Sequence, residues 1–221
     1  MCSSDLDPYA RGRVLQRLAD LVEAHGDELA ELESRDAGKP HGDALREVDR
    51  VVRTITYYAG WPTKITGTTN PADPGVFSYT LREPLGVVGA ITPWNFPAVI
   101  AVWKLAPALA CGNVVVHKPA EEAPLTALRL AELALEAGVP SGAWNVVTGD
   151  AEAGAALAAH DDVDKVSFTG STAAGREIQR AAAANLKRLT LELGGKSANV
   201  VFADADLEKA APERREQRVE S

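Results

Sequence analysis

The sequence predicts an α/β fold: a parallel sheet with helices on both faces, plus an antiparallel β-arm. Three observations carry this. Five short apolar runs rich in β-branched residues lie at 87–91, 114–116, 145–147, 166–168 and 189–191. Stretches rich in alanine and leucine separate them, and repeated strand–helix alternation requires crossovers and therefore a parallel sheet. Ahead of these runs, a Thr-, Asn-, Pro- and Gly-rich segment at 67–75 leads into alternating residues at 76–82, which reads as a hairpin arm.

The elements follow in chain order. Between Pro8 and Leu32, the residues Val14, Leu15, Leu18, Leu21, Val22, Leu29 and Leu32 recur at helical spacing behind Asp7 and Pro8, so one capped amphipathic helix is predicted there. A second runs from about Asp43 to Ala59, with Val48, Val51, Val52, Ile55 and Tyr58 on one side, and Gly60 and Pro62 end it. With 46% hydrophobic residues among 221, the chain has material for one or two cored domains, which excludes general disorder. A net charge of -8 argues against partners such as nucleic acid or an anionic membrane, which need clustered cations. The apolar stretch 98–110 is broken by Lys104 and Pro107 and is too short to cross a bilayer.

The two cysteines, Cys2 and Cys111, lie far apart. They support neither a disulfide framework nor a thiolate metal site, and the expected compartment is the reducing cytoplasm. Residues 1–6 read as neither signal nor transit peptide; they resemble adaptor read-through, and Cys2 is set aside. His25, His41, His117 and His160 show no spacing suited to a metal site or a triad.

In parallel sheets ligands gather at the carboxyl ends of strands. Four segments stand there: Thr92-Pro93-Trp94-Asn95-Phe96-Pro97, Lys118-Pro119-Ala120-Glu121, Phe168-Thr169-Gly170-Ser171-Thr172 and Leu191-Glu192-Leu193-Gly194-Gly195-Lys196. Neither glycine segment is a triphosphate-binding loop. Gly170 and Gly175 have the separation, but Arg176 and Glu177 replace the required Lys and Ser or Thr; ahead of Gly195-Lys196-Ser197 the glycine position holds Thr190. The Gly-x-Gly-x-x-Gly fingerprint is absent as well. On residues alone, then, each segment has two readings. Asn95 is a turn residue or a hydrogen-bond donor, Lys118 and Glu121 are solvated charges or ligand contacts, Gly170 is a plain turn or a phosphate approach, and Glu192 is a strand-end charge or a base.

All four segments in this order, together with Leu105-Ala106-Pro107-Ala108-Leu109 and Cys111-Gly112-Asn113, resemble the aldehyde dehydrogenase superfamily from about Pro8 to about Lys209. The resemblance implies a discontinuous, Rossmann-like NAD-binding domain at 7–66 and 86–195 and an oligomerisation arm at 67–85. It also implies the start of a catalytic domain at 196–221. Within that last part the charged run at 211–221 departs from the family pattern and reads as a frameshift or a truncated gene.

The implied reaction is NAD-dependent oxidation of an aldehyde to a carboxylic acid, with NADP possible as cofactor and a homodimer or homotetramer as the assembly. Asn95 matches the amide that stabilises the oxyanion. Lys118 and Glu121 match the pair that holds the adenosine ribose, the carboxylate repelling a 2'-phosphate. Gly170 and Ser171 match the pyrophosphate turn. Ile91, Thr92, Pro93, Trp94 and Leu193 complete the implied cofactor contacts, Trp94 as wall, and Gly175 serves helix packing. Glu192 matches the general base, and its place between Leu191 and Leu193 predicts partial desolvation and a raised pKa. That glutamate favours hydrolysis over the CoA-acylating alternative. Cys111 is expected to be buried packing, while the family's nucleophilic cysteine falls just beyond Ser221. A non-catalytic nucleotide-binding or assembly subunit is the other alternative.

Overall fold

The computed structural model describes residues 6–198 and 200–207. Cys2 and the charged run at 211–221 lie outside them. The first helix, α1 (Pro8–Ala24), begins as predicted: the Asp7 carboxylate accepts a hydrogen bond from the Ala10 N–H at 2.9 Å, satisfying one of the free first-turn donors. The predicted single helix is, however, two. Its ladder ends at His25, and α2 runs Gly26–Ala37. Gly26 has poor helix propensity and faces α3 (His41–Ala59), where a Cβ would sit in ordinary contact 3.4 Å from the Val48 side chain. Gly38 closes α2 in the left-handed conformation at φ 71°, a position that favours glycine.

The arm is much shorter than its sequence pattern. Only β1 (Thr69–Asn70) and β2 (Ser78–Tyr79) pair, antiparallel, in the register Thr69–Tyr79 and Asn70–Ser78. With Val76, Phe77, Tyr79 and Leu81 all exposed, no buried face extends the ladder.

The main sheet contains β3 (Val87–Ile91), β4 (Val114–Lys118), β5 (Trp144–Val146), β6 (Lys165–Thr169) and β7 (Arg188–Glu192). Their order is β5-β4-β3-β6-β7, and every pairing is parallel. Helices α4 (Pro97–Ala110) and α5 (Leu125–Ala137) join α1 and α3 in one core; α6 (Ala151–Ala159) and α7 (Thr172–Ala182) form a second. The alternation of β3 divides the two: Val88 and Ala90 enter the first core, Val87 and Ile91 the second. Gly89 shares the second face, where a Cβ would meet Leu157 of α6 at 3.1 Å. Since the chain moves outward from β3 to β5 and then returns to β6, the strand order reverses beside β3, which opens a crevice at the carboxyl ends of these strands.

Candidate functional site

Two adjoining cavities occupy that crevice. The first, of about 800 Å³, is lined by Asn95, Trp103, Lys104, Ser167, Glu192 and Leu193 among others. The second, of about 600 Å³, lies between α6 and α7 and is lined by Ile91, Thr92, Lys118 and Glu121. Pro93, Trp94, Gly170 and Ser171 border both. The fold therefore brings all eleven sequence-predicted site residues to the walls of these two adjoining cavities.

In the second cavity Gly154, Ala155, Ala158, Ala174 and Ala181 leave a slot between the helices. Small side chains on both walls suit a flat, apolar ring. At its mouth the Lys118 Nζ donates to Glu121 Oε2 at 2.9 Å; the lysine side chain is buried and the carboxylate half exposed. The hydrogen bond from Lys118 holds the Glu121 carboxyl below the ordinary carboxylate range, so it is ionised at neutral pH. Behind the slot, His117 Nε2 lies 3.0 Å from Thr92 Oγ1. Complete burial, aided by the nearby Lys104 charge, lowers His117 to about 3, which makes it a neutral anchor for the start of the Thr92–Phe96 loop.

Gly170 and Ser171 open α7. The Gly170 N–H donates to the Glu192 carbonyl at 3.0 Å, so that amide is already engaged. What the glycine provides is space, because a Cβ would stand 2.5 Å from the Phe168 ring. Ser171 is the N-cap of α7, its Oγ accepting from the Ala174 N–H at 3.2 Å; the remaining first-turn amides and the Ser171 O–H are donors suited to an anion. Gly175 also provides close packing, since its Cβ would lie 2.4 Å from Leu193.

The first cavity carries the polar chemistry. The Asn95 side-chain oxygen is buried and takes no hydrogen bond among the described residues. Lys104 Nζ donates to Ser167 Oγ at 3.2 Å. Burial lowers Lys104 to about 8, with the Glu192 charge opposing and Lys165 adding to the shift. Among the described residues no group of three or more His, Cys, Asp or Glu is placed to hold a metal ion.

The aldehyde dehydrogenase family model matches residues 3–218. The chain belongs to the aldehyde dehydrogenase family. It is 58% identical over 214 residues to a phenylacetaldehyde dehydrogenase of Pseudomonas fluorescens, covering 93% of this chain and 43% of that protein. To the human mitochondrial aldehyde dehydrogenase it is 56% identical over 208 residues, covering 93% of this chain and 40% of that one. Among solved structures, the NAD+ complex of an aldehyde dehydrogenase from Bacillus cereus superposes with a TM-score of 0.92 at 48% identity, over 96% of this chain and 44% of that one. PnpE in complex with nicotinamide adenine dinucleotide gives 0.91 at 49% identity, over 95% and 43%. The chain thus spans less than half the length of these relatives.

Two expectations for this chain need correction. Cys111 is exposed: it caps the C-terminus of α4, where its N–H donates to the Pro107 carbonyl at 3.1 Å and the side chain turns away from the core. Partial shielding still raises its thiol pKa. Glu192 is also exposed, and Leu193 beside it is 41% exposed, so the flanking leucines do not desolvate it. Sequence reasoning missed Lys104. Its signal was available, since it is the one charged residue in the otherwise apolar α4.

Lys104 gives a pH test. Its folded pKa of about 8 lies below the ordinary 10.5, so between these values the unfolded chain binds more protons and stability rises with pH. As pH falls through 8, that contribution is lost. From about pH 7.5 to 9.5 the chain is expected to gain on the order of 1–2 kcal/mol relative to Lys104→Met. Urea unfolding of both proteins at each pH measures the difference; parallel curves would refute a buried, destabilised ammonium.

Proposed function

We propose that the chain is the NAD-binding part of a hydrolytic aldehyde dehydrogenase, which converts an aldehyde, NAD and water to a carboxylate and NADH. The observation carrying this reading is the slot between α6 and α7, closed by Lys118 and Glu121 and joined at Gly170 and Ser171 to a cavity holding Asn95 and Glu192. The slot takes the adenine, and the Glu121 carboxylate accepts hydrogen bonds from the ribose hydroxyls while Lys118 holds it in place. Ser171 and the first turn of α7 meet the phosphates. When bound, NAD supplies the hydride acceptor. In the neighbouring cavity the Asn95 amide donates to the oxygen that becomes negative as a nucleophile adds to the carbonyl. Glu192, open to solvent, takes a proton from the water that releases the acid. The NAD bound in the Bacillus cereus enzyme and in PnpE supports the same cofactor here.

Residues 7–66 and 86–195 form the cofactor domain in this reading, and 196–221 begin the catalytic one. The arm at 67–85 serves assembly into a dimer or tetramer, a role supported by its exposed Val76, Phe77 and Leu81. Among the described residues no helix is long and apolar enough to cross a membrane. The acidic balance and the scarce cysteines support a cytoplasmic protein that binds a small molecule and no nucleic acid.

Calorimetric titration with NAD and NADP tests the cofactor assignment, and NAD is expected to bind more tightly. Glu121→Gln removes the charge that opposes a 2'-phosphate, and the preference is expected to narrow about 3- to 10-fold. NADP binding equal to or tighter than NAD in the unaltered chain would sink the assignment.

A further inference from the structure

Away from both cavities, a cluster of three charges is buried where α2, α3 and the start of α4 meet. Lys39 Nζ donates to Glu33 Oε1 at 2.6 Å and, more closely still, to Glu47 Oε2. The carboxylate residues are 3% and 5% exposed. Burial, and then the neighbouring Glu47, raises Glu33 to about 7 against the opposing pull of Lys39. Burying such a group costs desolvation that well-packed apolar residues avoid, so an ion cluster of this kind is weak evidence for stability and stronger evidence for a fixed geometry.

What the cluster fixes lies on its other side. Lys39 Nζ stands 4.7 Å from the centroid of the Phe96 ring, within cation–π range. Phe96 is the N-cap residue of α4, and its side chain makes no capping hydrogen bond; its carbonyl receives the Ile100 N–H at 3.0 Å and so starts the helix. Asn95 directly precedes it, with a buried side-chain oxygen that takes no hydrogen bond among the described residues. At the far end of the loop, Thr92 is tied by His117 and by its own N–H to the Lys118 carbonyl at 3.2 Å. The ring of Phe96 is the corresponding tie at the near end.

We propose that Lys39, held by Glu33 and Glu47 and seated on the Phe96 ring, is a positioning residue that fixes the direction of the Asn95 side-chain amide. The proposal rests on the reading of Asn95 as the oxyanion donor, but its test reads the amide itself and needs no turnover. The full chain is labelled with 15N-asparagine, and the side-chain amide signals are compared in the unaltered chain, Lys39→Met, Lys39→Arg and Phe96→Leu. Backbone hydrogen exchange is followed in parallel. In Lys39→Met the Asn95 signal is expected to shift and broaden, and exchange at the first turn of α4 to rise about tenfold, while Asn70, Asn145 and Asn185 keep their signals. Lys39→Arg restores the cation and the Asn95 signal. Phe96→Leu, which leaves the three charges in place, reproduces the Lys39→Met effect and decides the matter if Lys39→Met does not fold. An unmoved Asn95 signal in Phe96→Leu overturns the proposal, as does an equal rise in exchange along the whole chain in Lys39→Met. Retained NAD binding in these variants, beside a disordered Asn95, separates failure of the cofactor reading from failure of the positioning role.

Discussion

Incubated with NAD and an aldehyde, the chain by itself is expected to produce no NADH above the blank. A hydride leaves the substrate carbon only after a nucleophile has added to the planar carbonyl, and in covalent catalysis that nucleophile must stand within bonding reach. The chain has two thiols. Cys2 lies outside the described residues, and Cys111 sits at the opposite end of α4 from Asn95. Helix α4 has 14 residues, which at about 1.5 Å of rise per residue places the thiol roughly 20 Å from the amide. The raised pKa of Cys111 also keeps it a poorly nucleophilic thiol at neutral pH. Against an enzyme-catalysed reaction the expected loss is on the order of a millionfold or more. Absorbance of NADH with several aldehydes is the measurement, and turnover abolished by Cys111→Ser would show that the chemistry is sited elsewhere than in the Asn95 cavity.

Gly170→Val is expected to weaken NAD binding by about a hundredfold or more, on the order of 3 kcal/mol. The added Cβ would lie 2.5 Å from the Phe168 ring, and that ring lines the slot between α6 and α7. Either the ring moves into the space the adenine needs, or the turn pulls away from the Glu192 carbonyl that now accepts the Gly170 N–H. Gly195→Val is the control, since among the described residues nothing lies within 4 Å of a Cβ at that position. Calorimetry on both variants, with circular dichroism to confirm that each folds, separates the site from general destabilisation, for which overpacking costs about 1–3 kcal/mol. A folded Gly170→Val protein that binds NAD like the parent would remove Gly170 from the pyrophosphate turn.

The sheet was legible because its central strands β3, β4 and β6 are largely buried and appear as short apolar runs rich in β-branched residues, and each predicted run ends within two residues of the observed strand. The division at His25 was not legible, because Val22 and Leu29 are seven residues apart and keep the same helical phase across it. Only Gly26, a poor helix former, marked the change. The arm failed differently: alternation describes which side a residue takes, and an arm open to solvent on both sides has no face to bury. At the site, loop residues carried their own pattern, whereas Lys104 and the Glu33–Lys39–Glu47 cluster derive their character from burial between separate elements. Cys111 looked interior because its sequence neighbours are apolar, yet a helix terminus turns it outward.

The place of β3 at the centre of the sheet also sets an order of assembly. Its pairing with β4 closes a short crossover, while Val88 must wait for Lys165, far later in the chain, before its other edge is filled. Loop-closure entropy favours the nearer partner. The half from β3 to β5 is therefore expected to form first, and until β6 arrives it would present an open strand edge prone to pairing with other chains. The slot between α6 and α7 does not exist in that half-built state. A nucleotide that fills the slot binds only the finished sheet, so its concentration acts on folding yield as well as on occupancy, drawing late intermediates toward the native form by mass action.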